Sequence, residues 1–464
     1  MKFRILPGLL ALAFPLAAVA ADNPELAQIR VQIAEMKTAY EQRIAALEAR
    51  LAQAESSAAT AATTASRAEQ QVQQHARPRS EPLAPASAAA FNPEVSLILD
   101  GKYSNLSRDP ASYRLGGFIP SGGEVAPPNR SFGLGESELA ISANIDHLFR
   151  GNARFSLAPD NSIATEEAHI ETLGLDHGLK LKAGRFLSGI GYLNQRHPHE
   201  WDFADAPLAY QAFFGSRLGN DGVQLKWLAP TSQFVELGLE LGRGDSFPGN
   251  DRNKNGNGLS SLFAHVGGDI GISTAWQAGL SYVRTQPAGR SANDPVDNYD
   301  YRFSGDSRTW LADFVLKWAP NGNPAEQNFK LQGEYFRRSE NGRLSVDDVG
   351  NAVALASDED FRSRQSGWYA QGVWQFTRGW RVGYRHDRLD SGRIDNATVA
   401  AGTLPLLSAH AARGDALMLD WSPSEFSRVR LQFGRNDARG PGLHDNQLFL
   451  QYIMSLGAHG AHKF

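Results

Sequence analysis

Apolar and polar side chains alternate along most of the chain from Val95 onward, and this period of two predicts β-strands. In the stretch 235–242, for example, leucines alternate with Glu236 and Glu240, so one face of the strand is apolar and the other is charged. Tryptophan borders the apolar face at both ends of the stretch 310–318. An apolar face bordered by aromatic residues is typical of strands that have lipid on one side and water on the other.

About sixteen such segments follow one another, which predicts an all-β transmembrane barrel of about 16 antiparallel strands over residues 95–464. Their connections alternate between short and long, as expected when turns lie on one side of a membrane and loops on the other. The predicted short connections are 147–151, 176–178, 229–232, 268–271, 320–326, 377–379 and 422–424. The predicted long connections are 107–131, 158–164, 188–220, 243–259, 285–307, 339–364, 391–413 and 436–445.

The first ninety residues follow different patterns. Residues 1–20 have a basic start, a short apolar run and a small-residue pattern at Ala18 and Ala20, which predicts a cleaved export signal. In residues 23–55, apolar side chains recur every three or four positions, which predicts an α-helical coiled coil and therefore self-association. Residues 56–94 are rich in alanine, serine and proline and are interpreted as a spacer.

Composition narrows the class of protein further. The chain has no cysteine, so no disulfide stabilises an exported fold. Removal of the signal takes away Lys2 and Arg4 and leaves 44 basic against 50 acidic residues, a formal charge of 44 − 50 = −6. This mild negative balance argues against nucleic-acid binding. No apolar run of about 20 residues follows the signal, so helical membrane spans are excluded.

These features together resemble the sixteen-stranded trimeric porins of Gram-negative outer membranes. The similarity is greatest to those with a periplasmic N-terminal coiled coil, such as the phosphate-selective and dicarboxylate-type porins. It covers residues 95–464 by architecture and 23–55 by the extra helix, and the apolar side of the last strand continues to a terminal Phe464, as in the assembly signal of such proteins. The resemblance implies a homotrimer in outer-membrane lipid, with the coiled coil in the periplasm.

The same resemblance implies that the third long connection folds inward and sets the pore constriction, which allows small hydrophilic or charged solutes to diffuse passively. Here that connection is 188–220, which carries an unusual concentration of charge and histidine. The candidate selectivity residues are Arg196, His197, His199, Glu200, Asp202 and Asp205. Strand parity predicts a charged lumen wall that faces these residues across the narrow point. Its residues are Lys180, Lys182, Lys226, Glu236, Glu240, Lys330, Arg381, Arg385, Arg428 and Arg430.

Other functions remain open from the sequence. His197 and His199, with the neighbouring Glu200, are suitable donors for zinc, so a zinc-related uptake channel or receptor is one alternative. A structural envelope anchor, with the coiled coil reaching peptidoglycan, is another. No nucleophile motif surrounds Ser188 or Ser216, so we expect neither an enzyme nor a cofactor.

Overall fold

The computed structural model describes residues 93–121 and 125–457. The predicted export signal, the coiled coil over 23–55 and nearly all of the spacer over 56–94 lie outside the described residues. The predicted terminal signal at Phe464 lies outside them as well.

Eighteen β-strands form one antiparallel sheet in the described part of the chain. They are β1 (Glu94–Leu106), β2 (Ser131–Leu134), β3 (Ser137–Asn144), β4 (Phe149–Leu157), β5 (Ile163–Thr172), β6 (Leu179–Leu187), β7 (Gly219–Leu228), β8 (Phe234–Gly242), β9 (Leu259–Ile270), β10 (Thr274–Thr285), β11 (Arg290–Asp294), β12 (Tyr299–Trp318), β13 (Asn328–Asp348), β14 (Val353–Thr377), β15 (Trp380–Asp395), β16 (Arg413–Ser424), β17 (Ser427–Asn436) and β18 (Asp445–Gly457). Two short α-helices lie in connections, namely α1 (Leu208–Phe214) and α2 (Ala397–Ala400). Single 3₁₀ turns are at Pro110–Ser112, Asp176–Gly178, Pro198–Glu200, Pro320–Gly322 and Pro405–Leu407.

The sheet closes on itself as a barrel. β18 pairs with β1 along eleven residues of each strand, from the pair Ser96 and Gly457 to the pair Leu106 and Gln447. β2 and β3 both pair with β1 and together fill one strand position in the wall. β11 pairs with the first five residues of β12 and adds no strand position of its own. The wall therefore has sixteen strand positions, which confirms the predicted barrel and its number of strands.

The outer face of the barrel is apolar, as the alternation predicted. Leu237 and Leu239 on β8 are 43% and 39% exposed, whereas Glu240 on the same strand is fully buried inside. Trp310 and Trp318 mark the two edges of this apolar band on β12. Eight residues separate them, roughly 26 Å along a strand and about 20 Å across the membrane at a tilt of ~40°. This height is slightly below the lipid-facing band of about 25 Å that is typical of membrane barrels. No helix in the described residues is long and apolar enough to cross a membrane.

Short turns join the strands at one end of the barrel, here called the turn end, and longer connections join them at the other, the loop end. Two predicted loops are wrong in extent. β12 begins at Tyr299 within the predicted loop 285–307. Nearly all of the predicted loop 339–364 is strand, because β13 continues to Asp348 and β14 begins at Val353.

The physical reason for these extensions is an apolar cluster at the loop end. Phe303, Leu344 and Phe361 point inward and are buried, together with Leu406 and Leu407 from the connection after α2. The rings of Phe303 and Phe361 lie 5.7 Å apart. Burial of these side chains stabilises strand pairing beyond the lipid-facing band, where the sequence had favoured loops.

Candidate functional site

Residues 188–218, between β6 and β7, lie inside the barrel, and we call this segment the inner loop. Its base is held by Glu240 of β8, whose carboxylate accepts hydrogen bonds from the Ser188 hydroxyl (2.5 Å) and the Gly189 amide (2.7 Å). The Asn194 side chain closes the same base, donating to the carbonyl of Ser188 (2.8 Å) and accepting from the amide of Leu218 (2.7 Å). The side chains of Ser188, Asn194 and Glu240 are polar and fully buried, and their hydrogen bonds in the interior fix where the segment enters and leaves.

His197 attaches the inner loop to β3 and β5. Its Nδ1 lies 2.8 Å from Oε2 of Glu138 and 3.1 Å from Oε2 of Glu166, and its Nε2 lies 2.9 Å from Oε1 of Glu167. Burial by itself lowers the pKa of His197, but the three carboxylates outweigh burial and raise that pKa well above its usual value. A protonated imidazolium with both N–H groups facing carboxylates is therefore the stable form.

Two arginines complete this first network. Arg217 of the inner loop contacts Glu136 (2.9 Å) and Glu166 (3.2 Å), and Arg154 of β4 contacts Glu138 (2.9 Å). Glu138 is almost fully buried, so its charge requires these close partners. The network joins one end of the inner loop to three neighbouring strands.

Asp202 attaches the inner loop to the opposite wall. Its carboxylate forms ion pairs with Lys330 of β13 and Arg381 of β15 (3.1 Å) and accepts a hydrogen bond from Gln371 of β14 (2.9 Å). Burial would raise the pKa of Asp202, but Lys330 and Arg381 hold that pKa well below its usual value. Three residues later, Asp205 pairs with Arg385 (2.9 Å), whose second carboxylate partner is Asp387.

Arg428 and Arg430 of β17 also lie beneath the inner loop. Both donate to the carbonyl of Trp201, at 3.2 Å and 2.7 Å, and Arg430 also pairs with Asp420 (2.9 Å). Both arginine side chains are buried. At Asp202 and Asp205 the loop therefore packs directly on the basic wall and forms its ion pairs by contact.

An apolar surface of the inner loop, which sequence reasoning missed, faces the interior at the same time. All seven residues of α1 are buried, and Phe213 stacks on Phe336 of β13 with ring centroids 5.6 Å apart. The Tyr210 hydroxyl donates to Glu334 (2.8 Å), which also accepts from Tyr369 (2.7 Å). The run Leu-Ala-Tyr-Gln-Ala-Phe-Phe, unusual in a loop, was the available sequence signal for this packing.

The remaining predicted wall residues lie on the other side of the lumen. Lys180 pairs with Glu171 (2.9 Å), Lys226 lies 3.3 Å from Glu236, and Lys182 is next to the ring of Phe186. Of these strands, β5, β7 and β8 face a polar cavity of about 410 Å³ that the inner loop borders. The cavity is lined by Arg154, Glu167, Gly191, Tyr192, Gln195, Arg196, His197, Glu200, Lys226, Phe234, Glu236, His265 and Gln277.

The six predicted site residues therefore lie in different places, and His197 both lines the cavity and attaches the loop to β3 and β5. Arg196, with its guanidinium 5.0 Å from the ring of Tyr192, and Glu200 line the cavity. Asp202 and Asp205 instead anchor the loop on the opposite wall. His199 is buried and lies 3.9 Å from Glu138.

Several solved structures are similar to this chain in fold. OprB of Pseudomonas putida is 12% identical with a TM-score of 0.49 and covers 79% of this chain and 94% of its own. The outer-membrane channel DcaP of Acinetobacter baumannii is 11% identical with a TM-score of 0.46, over 81% of this chain and all of its own. The anion-selective porin of Comamonas acidovorans is 10% identical with a TM-score of 0.43, over 79% of this chain and all of its own.

Similarity in sequence extends to fewer known proteins than similarity in fold does. No protein-family model matches the chain. An uncharacterized protein of Aquifex aeolicus (strain VF5) is 30% identical in an alignment of 409 positions, and the match covers 82% of this chain and 82% of that protein. The chain therefore belongs to the same protein family as the uncharacterized Aquifex aeolicus protein.

Proposed function

We propose that the protein is an outer-membrane porin through which small hydrophilic or charged solutes diffuse passively. The observation that carries this proposal is the polar cavity of about 410 Å³ between the inner loop and strands β4, β5 and β7 to β10. A closed barrel with a lipid-facing band and a charged interior cavity suits passage of water-soluble molecules.

The inner loop narrows the lumen by occupying one side of it. Its ion pairs to β13 and β15, the hydrogen bonds that it accepts from β17 and the packing of α1 hold it against that side, so solutes pass along the other. There, Arg196 and Glu200 of the loop face Lys226 and Glu236 of the wall. Opposed charges across a narrow opening orient dipolar solutes and disfavour apolar ones.

The envelope arrangement is part of the same proposal. The loop end faces the outside and the turn end faces the periplasm, since long loops are external in such barrels. The predicted coiled coil over 23–55 then lies in the periplasm and holds three copies of the chain together.

The test is single-channel recording of the purified protein in a planar bilayer, with a salt gradient across the membrane. We expect conductance steps in groups of three and a reversal potential that reports the charge preference. Arg196→Gln should shift that potential toward cations, and Glu200→Gln should shift it toward anions. Absence of conductance from correctly folded barrel would refute the porin function and favour an envelope anchor.

A second candidate function is binding of a divalent cation such as zinc in the lumen. Ligand atoms of Glu136, Glu166 and His197 lie within 4.8 Å of one another, which favours this set over the predicted pair of histidines. Carboxylate and neutral imidazole are suitable zinc ligands, so zinc would have to displace the proton that the three carboxylates hold on His197. Micromolar zinc should block the channel, and Glu136→Gln should abolish the block; an unchanged current in zinc would reject this candidate.

A further inference from the structure

A group of arginines projects from the outer surface of the barrel, on the loop-end side of the lipid-facing aromatic residues. Tyr335 of β13 and Trp368 of β14 are partners in the sheet and lie at the same level. Four and six residues from Trp368 toward the loop end are Arg364 and Arg362, both exposed on the same face of β14. On the neighbouring strand, Arg393 is the direct partner of Arg364.

These three arginines surround a cavity of about 510 Å³ on the outer wall. We call this cavity, with Arg362, Arg364 and Arg393, the arginine groove. Ser339 and Asn341 of β13 add polar groups to it, and the groove is lined by Ser339, Glu340, Asn341, Arg362, Ser363, Arg364, Arg393 and Asp395. Glu340 points into the barrel and pairs with Arg290 there.

The charge of the groove is unbalanced. No ion pair of the described residues involves the three arginines, although Asp395 is the sheet partner of Arg362. Asp360, two residues from Arg362, pairs with Arg343 instead. Like charges directly opposite each other on paired strands, such as Arg364 and Arg393, destabilise a sheet. A bound anion would remove this repulsion.

The height of the groove indicates which anion. Arg364 lies roughly 13 Å along the strand from Trp368, which is about 10 Å across the membrane at a tilt of ~40°. Tryptophan and tyrosine rings mark the boundary of the hydrocarbon. The headgroup layer beyond that boundary is about 5–7 Å thick, so flexible arginine side chains reach into it from above.

We propose that the arginine groove binds the phosphate of an anionic lipid headgroup in the outer leaflet. Guanidinium groups bind phosphate oxygens in a bidentate manner, and three of them converge here without a carboxylate in ion-pair contact. This binding uses the outer surface and not the lumen, so it is independent of conduction, although it rests on the proposed orientation of the barrel.

The experiment is native mass spectrometry of the purified full chain, titrated with short-chain phosphatidic acid. The groove variant is Arg364→Gln with Arg393→Gln. The matched control is Arg413→Gln with Arg435→Gln, which removes two exposed arginines from the loop end of β16 and β17. We expect at least tenfold weaker lipid binding by the groove variant and native binding by the control, with native conductance in both.

Two further measurements identify the source of the phosphate and the role of the arginine fork. Inorganic phosphate should compete only at far higher concentration than the lipid, and short-chain phosphatidylcholine should bind weakly. Arg364→Lys should retain part of the affinity, since it keeps the charge and loses the bidentate contact. Equal binding by the groove variant and the native chain, or equal competition by inorganic phosphate, would overturn the proposal.

Discussion

Asp202 is the residue whose loss should release the inner loop from the wall. Asp202→Asn keeps the size and the contact with Gln371 but removes the charge that faces Lys330 and Arg381. Arg381 retains Asp420, whereas Lys330 has no other acid among the ion pairs of the described residues. Breaking a buried ion pair from one side costs about 3–5 kcal/mol, and the lower end applies because Arg381 keeps a partner.

A cost of about 3 kcal/mol changes the equilibrium between seated and released loop by at least about a hundredfold, since ~1.4 kcal/mol is a factor of ten. Hydrogen exchange of peptides covering 188–218 should therefore accelerate by that factor, and single-channel conductance should rise as the lumen widens. Asp205→Asn is the matched control, because Asp205 is partly exposed and Arg385 keeps Asp387. Identical exchange and conductance in Asp202→Asn and the native protein would refute the proposed role of this anchor.

Four further outcomes are expected. The pKa of Asp202 is lowered in the fold, so its stabilisation is present above its ordinary pKa of 3.8 and is lost as the pH falls further. The protection factors of amides in 188–218, which are exchange rates corrected for the intrinsic pH dependence, should therefore stay constant from pH 5 to 7 and fall below pH 3.8. His197→Ala leaves buried carboxylates without their imidazolium, which should cost about 3 kcal/mol or more of the free energy that holds the inner loop on the wall. The variant should therefore have a lower urea midpoint of unfolding and a higher conductance. Glu240→Ala removes the acceptor at the loop base and should cost about 1–3 kcal/mol, read from the same unfolding curve. Leu450→Arg on the lipid face should cost about 2–4 kcal/mol of barrel stability, whereas Leu450→Met should be neutral in the same folding assay.

Much of the barrel followed from local pattern. A strand reveals its two faces through a period of two, and each strand had to be apolar on the lipid side whatever its neighbours were. The sixteen strands, the turn end and the position of the segment between β6 and β7 were therefore predictable. The strands beyond the lipid band were not, since residues such as Phe303 and Phe361 pair only after the chain has folded.

The site shows the same division. The sequence by itself determined which segment is rich in charge and which residues on the strands face inward. It also placed Asp202 on the loop and Lys330 on the barrel wall. Only the tertiary structure decided that the loop packs on the basic wall, that His197 meets carboxylates from β3 and β5, and that the polar cavity lies on the other side. The physical reason is that these contacts join residues far apart in the chain, where the balance of burial against ion pairing depends on every neighbour at once.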